Sequence, residues 1–170
     1  FIGTGANNLV CTNANFSFIG AGCGNIMNGT YGMIGAGCGN CVADSYSGIG
    51  SGCNNIVGTR GNASFISGGR NNCISGEWNF LGGGQFNCIA LPADPLIGRF
   101  NVIGGGQFNC LMGDNNTIGG GLNNIMVDNT LQGTIAGGCL NILGGPVGTR
   151  RCGMTIGGGE INTVTGPYST

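Results

Sequence analysis

The chain of 170 residues contains no histidine and no lysine. Its charge rests on five arginines and six carboxylates, 6% of all residues, for a formal net charge of −1. Without His or Lys the commonest general bases are missing. Asp44, Asp94, Asp114, Asp128, Glu77 and Glu160 are scattered along the chain with no paired spacing, so no catalytic constellation is expected and the chain reads as a non-enzyme. With no basic patch, nothing would neutralise a phosphate backbone or an anionic membrane surface, and no nucleic-acid partner is expected. Glycine and asparagine interrupt every apolar run before it reaches the roughly 20 residues that cross a bilayer, so no membrane insertion is expected. Metal and cofactor signals are missing as well. Cys38 and Cys41 form a lone close pair without a second pair or a histidine. The Gly-Gly-Gly-Gln strings at 82–85 and 104–107 lack the Gly-Lys-Ser/Thr ending of a phosphate loop.

What the chain does have is glycine, 40 residues of it, together with 41% apolar residues and a mean hydropathy of +0.22. Disordered chains pair low hydrophobicity with high net charge, the opposite of this balance. The apolar residues recur. Ile-Gly-x-Gly and its variants begin at Ile2, Ile19, Ile34, Ile49, Ile66, Leu81, Ile103, Ile118, Ile135 and Ile156, with a base interval of 15 residues lengthened by insertions. Counting that Ile or Leu as position 1, position 4 is glycine in every copy and position 2 is glycine except at Ser67 and Ala136. Position 7 is always asparagine: Asn8, Asn25, Asn40, Asn55, Asn72, Asn87, Asn109, Asn124, Asn141 and Asn162. Position 9 is always aliphatic or Met, and an aromatic often stands three residues before the next copy (Phe16, Tyr31, Tyr46, Trp78, Phe100, Tyr168).

A 15-residue unit is too short for a helical hairpin or a propeller blade, and its glycines would each weaken a helix by about 1 kcal/mol. It fits one turn of a parallel β-solenoid. The expected fold is all-β: residues 1–170 form one domain of ten coils, a segment of a longer chain, each coil with two short strands and two corners. The glycines at positions 2 and 4 and the asparagine at position 7 are expected to supply the corners, where positive φ is needed. The stacked asparagines would form an amide ladder along a rod about 45–50 Å long. All insertions fall between position 9 and the tail of the coil. The longest, 91–99 (with Pro92 and Pro95) and 144–152, would project from one corner.

Positions 8 and 9 are adjacent and both apolar, so one must face inward and the other outward. An outward apolar stripe along a whole rod is best buried against further copies, which predicts a closed cyclic assembly of parallel rods. The copies at 19–33 (IGAGCGNIMNGTYGM), 118–134 (IGGGLNNIMVDNTLQGT) and 156–170 (IGGGEINTVTGPYST) resemble the Hep/Hag-like head repeats of trimeric autotransporter adhesins and related repeats of phage and large-virus fibres. The resemblance runs along the whole chain. It implies a left-handed β-roll in a homotrimer on a virion or cell surface, with no catalytic residues.

Eight of the ten cysteines follow the repeat, while Cys11 and Cys152 lie outside it and could link chains or insertions. Cys23, Cys38 and Cys53 hold position 5 in three consecutive coils, and Cys139 holds it later; Cys73, Cys88 and Cys110 hold position 8 in three others, as does Cys41. Stacked positions about 4.8 Å apart lie within disulfide reach. At position 5 the alternatives of a disulfide ladder (Cys23, Cys38, Cys53) and of free thiols stay open. At position 8, where cysteine alternates with Leu and Ile, it reads as a small buried hydrophobe. Four glycosylation sequons stand at Asn15, Asn28, Asn62 and Asn115. The functional expectation is a homotrimeric fibre or adhesin stalk, extracellular or on a virion or cell surface, whose tip or insertions touch a host glycan or protein. The alternatives are an ice-binding solenoid, prompted by Thr117, Thr134, Thr155 and Thr170 just before position 1, and a self-assembling filament subunit.

Overall fold

The computed structural model describes residues 1–90, 98–145 and 150–169. They form a parallel β-solenoid without helices. Ten two-residue strands, from Leu9–Val10 to Thr163–Val164, make one parallel sheet from positions 8 and 9 of successive coils. Nine more, from Phe18–Ile19 to Thr155–Ile156, make a second sheet from position 1 and the residue before it, position 0. Equivalent repeat positions pair throughout: Cys88 with Cys110, Ile89 with Leu111, Leu81 with Ile103. Each insertion is therefore absorbed within its own coil without shifting register, as Cys110 follows Cys88 by 22 positions and the ladder continues unbroken.

The expected two-strand coil is incomplete. Position 5 forms a third ladder of single bridges, running from Ala6 through Cys23, Cys38, Cys53, Arg70, Gln85, Gln107, Leu122 and Cys139 to Glu160. A one-residue strand carries no apolar alternation, which is why the repeat pattern does not announce it.

The interior is aliphatic. Position 1 (Ile19 through Ile135) and position 9 (Met27 through Leu143) are fully buried, and the core holds Ile, Val, Leu, Met and Ala14 with no aromatic ring. Burying each such side chain contributes about 1.5–3 kcal/mol. A 15-residue coil leaves room for two inward aliphatic side chains, one from each sheet, and stacking repeats that pair.

The corners differ from expectation. Positive φ falls at position 4, always glycine, with φ from 86° to 112°. It falls again at position 6, where Asn7, Asn54, Phe86, Leu140 and Ile161 sit near +55°. The third such point is three residues before position 1, where the aromatics Phe16, Tyr31, Tyr46, Trp78 and Phe100 adopt φ of 54–57°. Neither the position 2 glycines nor the asparagines of position 7 have positive φ. The need at position 2 is closeness: a Cβ on Gly104 would overlap the carbonyl oxygen of Gly119 in the next coil.

The asparagines of position 7 hold these corners together. Asn87 accepts the backbone N–H of Asn109 at 3.0 Å and donates through Nδ2 to the carbonyls of Gly83 (3.0 Å) and Gly106 (2.8 Å). The same pattern recurs from Asn8 to Asn162, and several neighbours add an amide-to-amide bond, such as Asn109 to Asn87 at 3.0 Å. Inside the stack these side chains are fully buried and fully bonded. Only a side chain carrying both acceptor and donor at this length can serve the coil above and the corner beside it.

A second buried polar ladder lies two residues before position 1, at Ser17, Ser47, Ser64, Asn79, Asn101 and Asn116. Ser64 Oγ accepts from Asn79 N–H at 3.0 Å and donates to Gly76 O at 3.0 Å; Asn101 and Asn116 continue the pattern. The long insertions are partly built in. Arg151–Cys152 pairs in parallel with Thr130–Leu131, so the 144–152 segment is anchored to the preceding coil instead of merely projecting; residues 146–149 lie outside the described residues. Of the 91–99 segment, Gly98 and Arg99 give their backbone N–H groups to Asp114 Oδ1 at 2.6 and 2.7 Å, whereas Pro92, Asp94 and Pro95 lie outside the described residues.

Two substitutions test this account. Gly106→Ala sets a Cβ against the Gly121 carbonyl at φ +88°, while the neighbouring Gly105 has open space for one. Urea unfolding is expected to show a loss of about 2 kcal/mol or more for G106A and little change for G105A. Asn87→Asp replaces two donated bonds by a buried carboxylate facing two carbonyls and is expected to cost about 3 kcal/mol or more at neutral pH. Its folded pKa would be raised, so the loss shrinks as pH falls and the protonated carboxyl regains a donor, and it grows as pH rises.

Candidate functional site

Parity along each two-residue strand decides what faces out. In the first sheet position 9 is buried, so position 8 points outward as Leu9, Ile26, Cys41, Ile56, Cys73, Cys88, Cys110, Ile125, Ile142 and Thr163. In the second, position 0 points outward as Phe18, Met33, Phe65, Phe80 and Val102, then changes to Thr117, Thr134 and Thr155. Leu9, Ile26, Ile56, Ile142, Phe18, Met33 and Phe80 are each about two-fifths exposed or more. The solenoid therefore carries one outward apolar stripe along the first sheet from Leu9 to Ile142 and a second along the first part of the other sheet, from Phe18 to Val102 with a gap at Gly48, each locked in register by the stack beneath it.

The cysteines of position 8 lie on this outward face and are half-buried, which overturns the reading of them as core residues. Cysteine substitutes there for Leu and Ile because the slot is apolar and laterally packed. All ten cysteines are free thiols. Cys23 and Cys38 are exposed and Cys53 is half-buried, and the three are bridge partners in consecutive coils. Cys73 Sγ and Cys88 Sγ approach to 3.1 Å. The Cys88 S–H stabilises a thiolate on Cys73 and draws its pKa down to about 7 against the opposing effect of burial, and the same contact pushes Cys88 upward. Burial, then the charge of Cys73 two coils away, raises Cys110.

Aromatic side chains, excluded from the core, stack outside it. Phe16, Tyr31 and Tyr46 form a column with ring centroids 5.0 and 5.2 Å apart, and Trp78 stacks on Phe100 at 5.0 Å. Phe86 on Phe108 and Phe65 on Phe80 make further pairs. Rings stacked face to face on the coil repeat present their edges to solvent, so a column offers a sugar a face only at its two ends. Ala63 sits in register between Tyr46 and Trp78 and interrupts the tail column: Ala63 N–H bonds Ser45 O at 3.1 Å and Trp78 N–H bonds Asn62 O at 2.9 Å.

The carboxylates are not brought together. Asp44 accepts the N–H of Ser45 and Asp128 that of Asn129, each within its own turn, and Asp114 accepts those of Gly98 and Arg99 in the preceding coil. Among the described residues no group of three or more His, Cys, Asp or Glu side chains could hold a metal ion, and no helix is long and apolar enough to cross a membrane. Thr117, Thr134 and Thr155 do form an in-register row, while Thr170 lies outside the described residues. The sequon residues Asn15, Asn28 and Asn115 are exposed and Asn62 is half-buried. The buried Ser/Asn ladder before position 1 and the position 5 ladder were not anticipated. The first leaves a faint signal, small polar residues recurring two places before the repeat isoleucine.

Ala63→Phe should join the two aromatic columns, because Phe already adopts this backbone conformation at Phe16 and Phe100. The expected gain is about 1 kcal/mol, a rise of about 2–4 °C in the thermal midpoint followed by circular dichroism.

No protein-family model matches the chain and no curated protein matches its sequence; the architecture is a parallel β-solenoid of repeating coils, consistent with a β-roll repeat protein.

Proposed function

We propose that this chain is a non-enzymatic structural rod, the self-associating shaft of a fibre or adhesin on a virion or cell surface. The observation that carries the reading is the pair of outward apolar stripes fixed in register along one continuous stack. A single rod would leave both stripes in water, and a second copy offers the same spacing, coil for coil, as its own complement. Three parallel copies related by a rotation about the long axis would close the arrangement and leave no stripe over, as closed cyclic symmetry favours. The repeat resemblance to trimeric adhesin heads and viral fibres points the same way. In this reading the insertion corner and the rod ends face outward and meet a host glycan or protein. The scattered carboxylates, of which Asp44, Asp114 and Asp128 are taken up by backbone N–H groups, fit a scaffold whose work is mechanical.

The test is solution mass by light scattering, with and without a reductant. A mass three times 16.9 kDa that survives reductant is expected. A monomer over the micromolar range would overturn the assembly. It would then favour the second reading, an ice-binding face built on the Thr117, Thr134, Thr155 row, which thermal hysteresis would register.

A further inference from the structure

Three thiols stand on one face in consecutive coils. Cys73 pairs in register with Cys88, and Cys88 with Cys110. Neighbouring parallel strands set such Cα atoms about 4.8 Å apart, inside the span a disulfide bridges. Two of the three already converge, with the Sγ atoms of Cys73 and Cys88 only 3.1 Å apart, so a small side-chain rotation brings them to the bond length of about 2.05 Å. Both are half-buried on the outward side of the sheet, flanked by the aliphatic Ile74 and Ile89 that point inward beneath them.

We propose that Cys73 and Cys88 are a redox modification site, a reversible disulfide that staples two consecutive coils, with a small disulfide such as oxidised glutathione as the oxidant. The Cys73 thiolate attacks one sulfur of the small disulfide, forming a mixed disulfide and releasing one small thiolate. Cys88 then gives its proton to solvent and its sulfur attacks the Cys73 sulfur, releasing the second small thiolate. Two protein thiols are oxidised and one small disulfide is reduced to two thiols. Either sulfur can donate across the 3.1 Å contact, so the thiolate that attacks first is held by its partner's S–H, and the same staple results if Cys88 attacks before Cys73. Cys110 stays out of the pair. Burial holds it protonated, and it lies two coils from Cys73. The bond forms within one chain, so it stands whether or not rods associate.

Cleavage after arginine makes the site readable. Residues 71–99 form one tryptic peptide whose only cysteines are Cys73 and Cys88, while Cys110 falls in the peptide 100–150. The full chain is refolded reduced in a glutathione buffer at pH 8, and remaining thiols are blocked with iodoacetamide in denaturant, so that burial protects none. Digestion and mass spectrometry follow. The expected result is peptide 71–99 unlabelled and lighter by two hydrogens as the major form, retained in Cys110→Ser. The same oxidation in urea should scatter bonds among the ten thiols. Cys88→Ser, checked for folding by circular dichroism, should leave Cys73 labelled. Two labels on peptide 71–99 from folded chain would overturn the proposal, as would equal formation of the bond in urea or its loss in Cys110→Ser.

Discussion

Everything in this molecule depends on hydrogen bonds that run from one coil to the next. Each coil spends its backbone N–H groups on the carbonyls of its neighbours, from Gly3 to Ile19 O at one end to Ile161 to Cys139 O at the other. A coil can do so only if its backbone follows the same path as the coil beside it. The left-handed turns therefore repeat at three fixed places even where the residue is Phe, Trp or Leu, which pay for that conformation locally. The corner carbonyls of position 3, such as those of Ala21, Gly83 and Gly137, are turned out of the ladders, and the side-chain amides of the position 7 asparagines donate to them. Where the interior needs polarity, the Ser and Asn column repeats the same solution on the opposite corner.

The thinness of the coil accounts for the division between inside and outside. Two inward aliphatic side chains fill each layer, so a ring has nowhere to go but the surface. There it finds a like ring 5.0–5.2 Å away in the next coil and recovers contact by stacking. The same limit explains the outward aliphatics and cysteines. A two-residue strand has one inward and one outward place, and on the first sheet the outward place takes aliphatics and cysteines down to Ile142 because lateral neighbours cover part of each side chain.

Much of this was legible in the residues. The isoleucine period gave the coil and its register, adjacency of positions 8 and 9 gave an outward stripe, and invariance at position 7 gave the amide ladder. Four features were not legible, for physical reasons. A ladder one residue wide, such as Ala6 to Glu160, leaves no alternation. Left-handed turns at Phe16 or Leu140 are imposed by the stack, against the preference of the residue. The orientation of the position 8 cysteines turns on which of two adjacent apolar residues faces in. Cys41, Cys73 and Cys88 look like either until the backbone fixes parity. The sulfur contact between Cys73 and Cys88 depends on rotamers as well as register.

The direction of the backbone bonds has a mechanical consequence. They lie along the long axis, so a pull on the two ends would load the outermost layer first and peel it away while the layers behind it stay intact. Such a rod yields in many small, similar steps, each able to re-form from the exposed template beneath it. It resists bending and lateral shear as a stiff beam while dissipating tension gradually, and a staple between two layers would set the point at which peeling pauses.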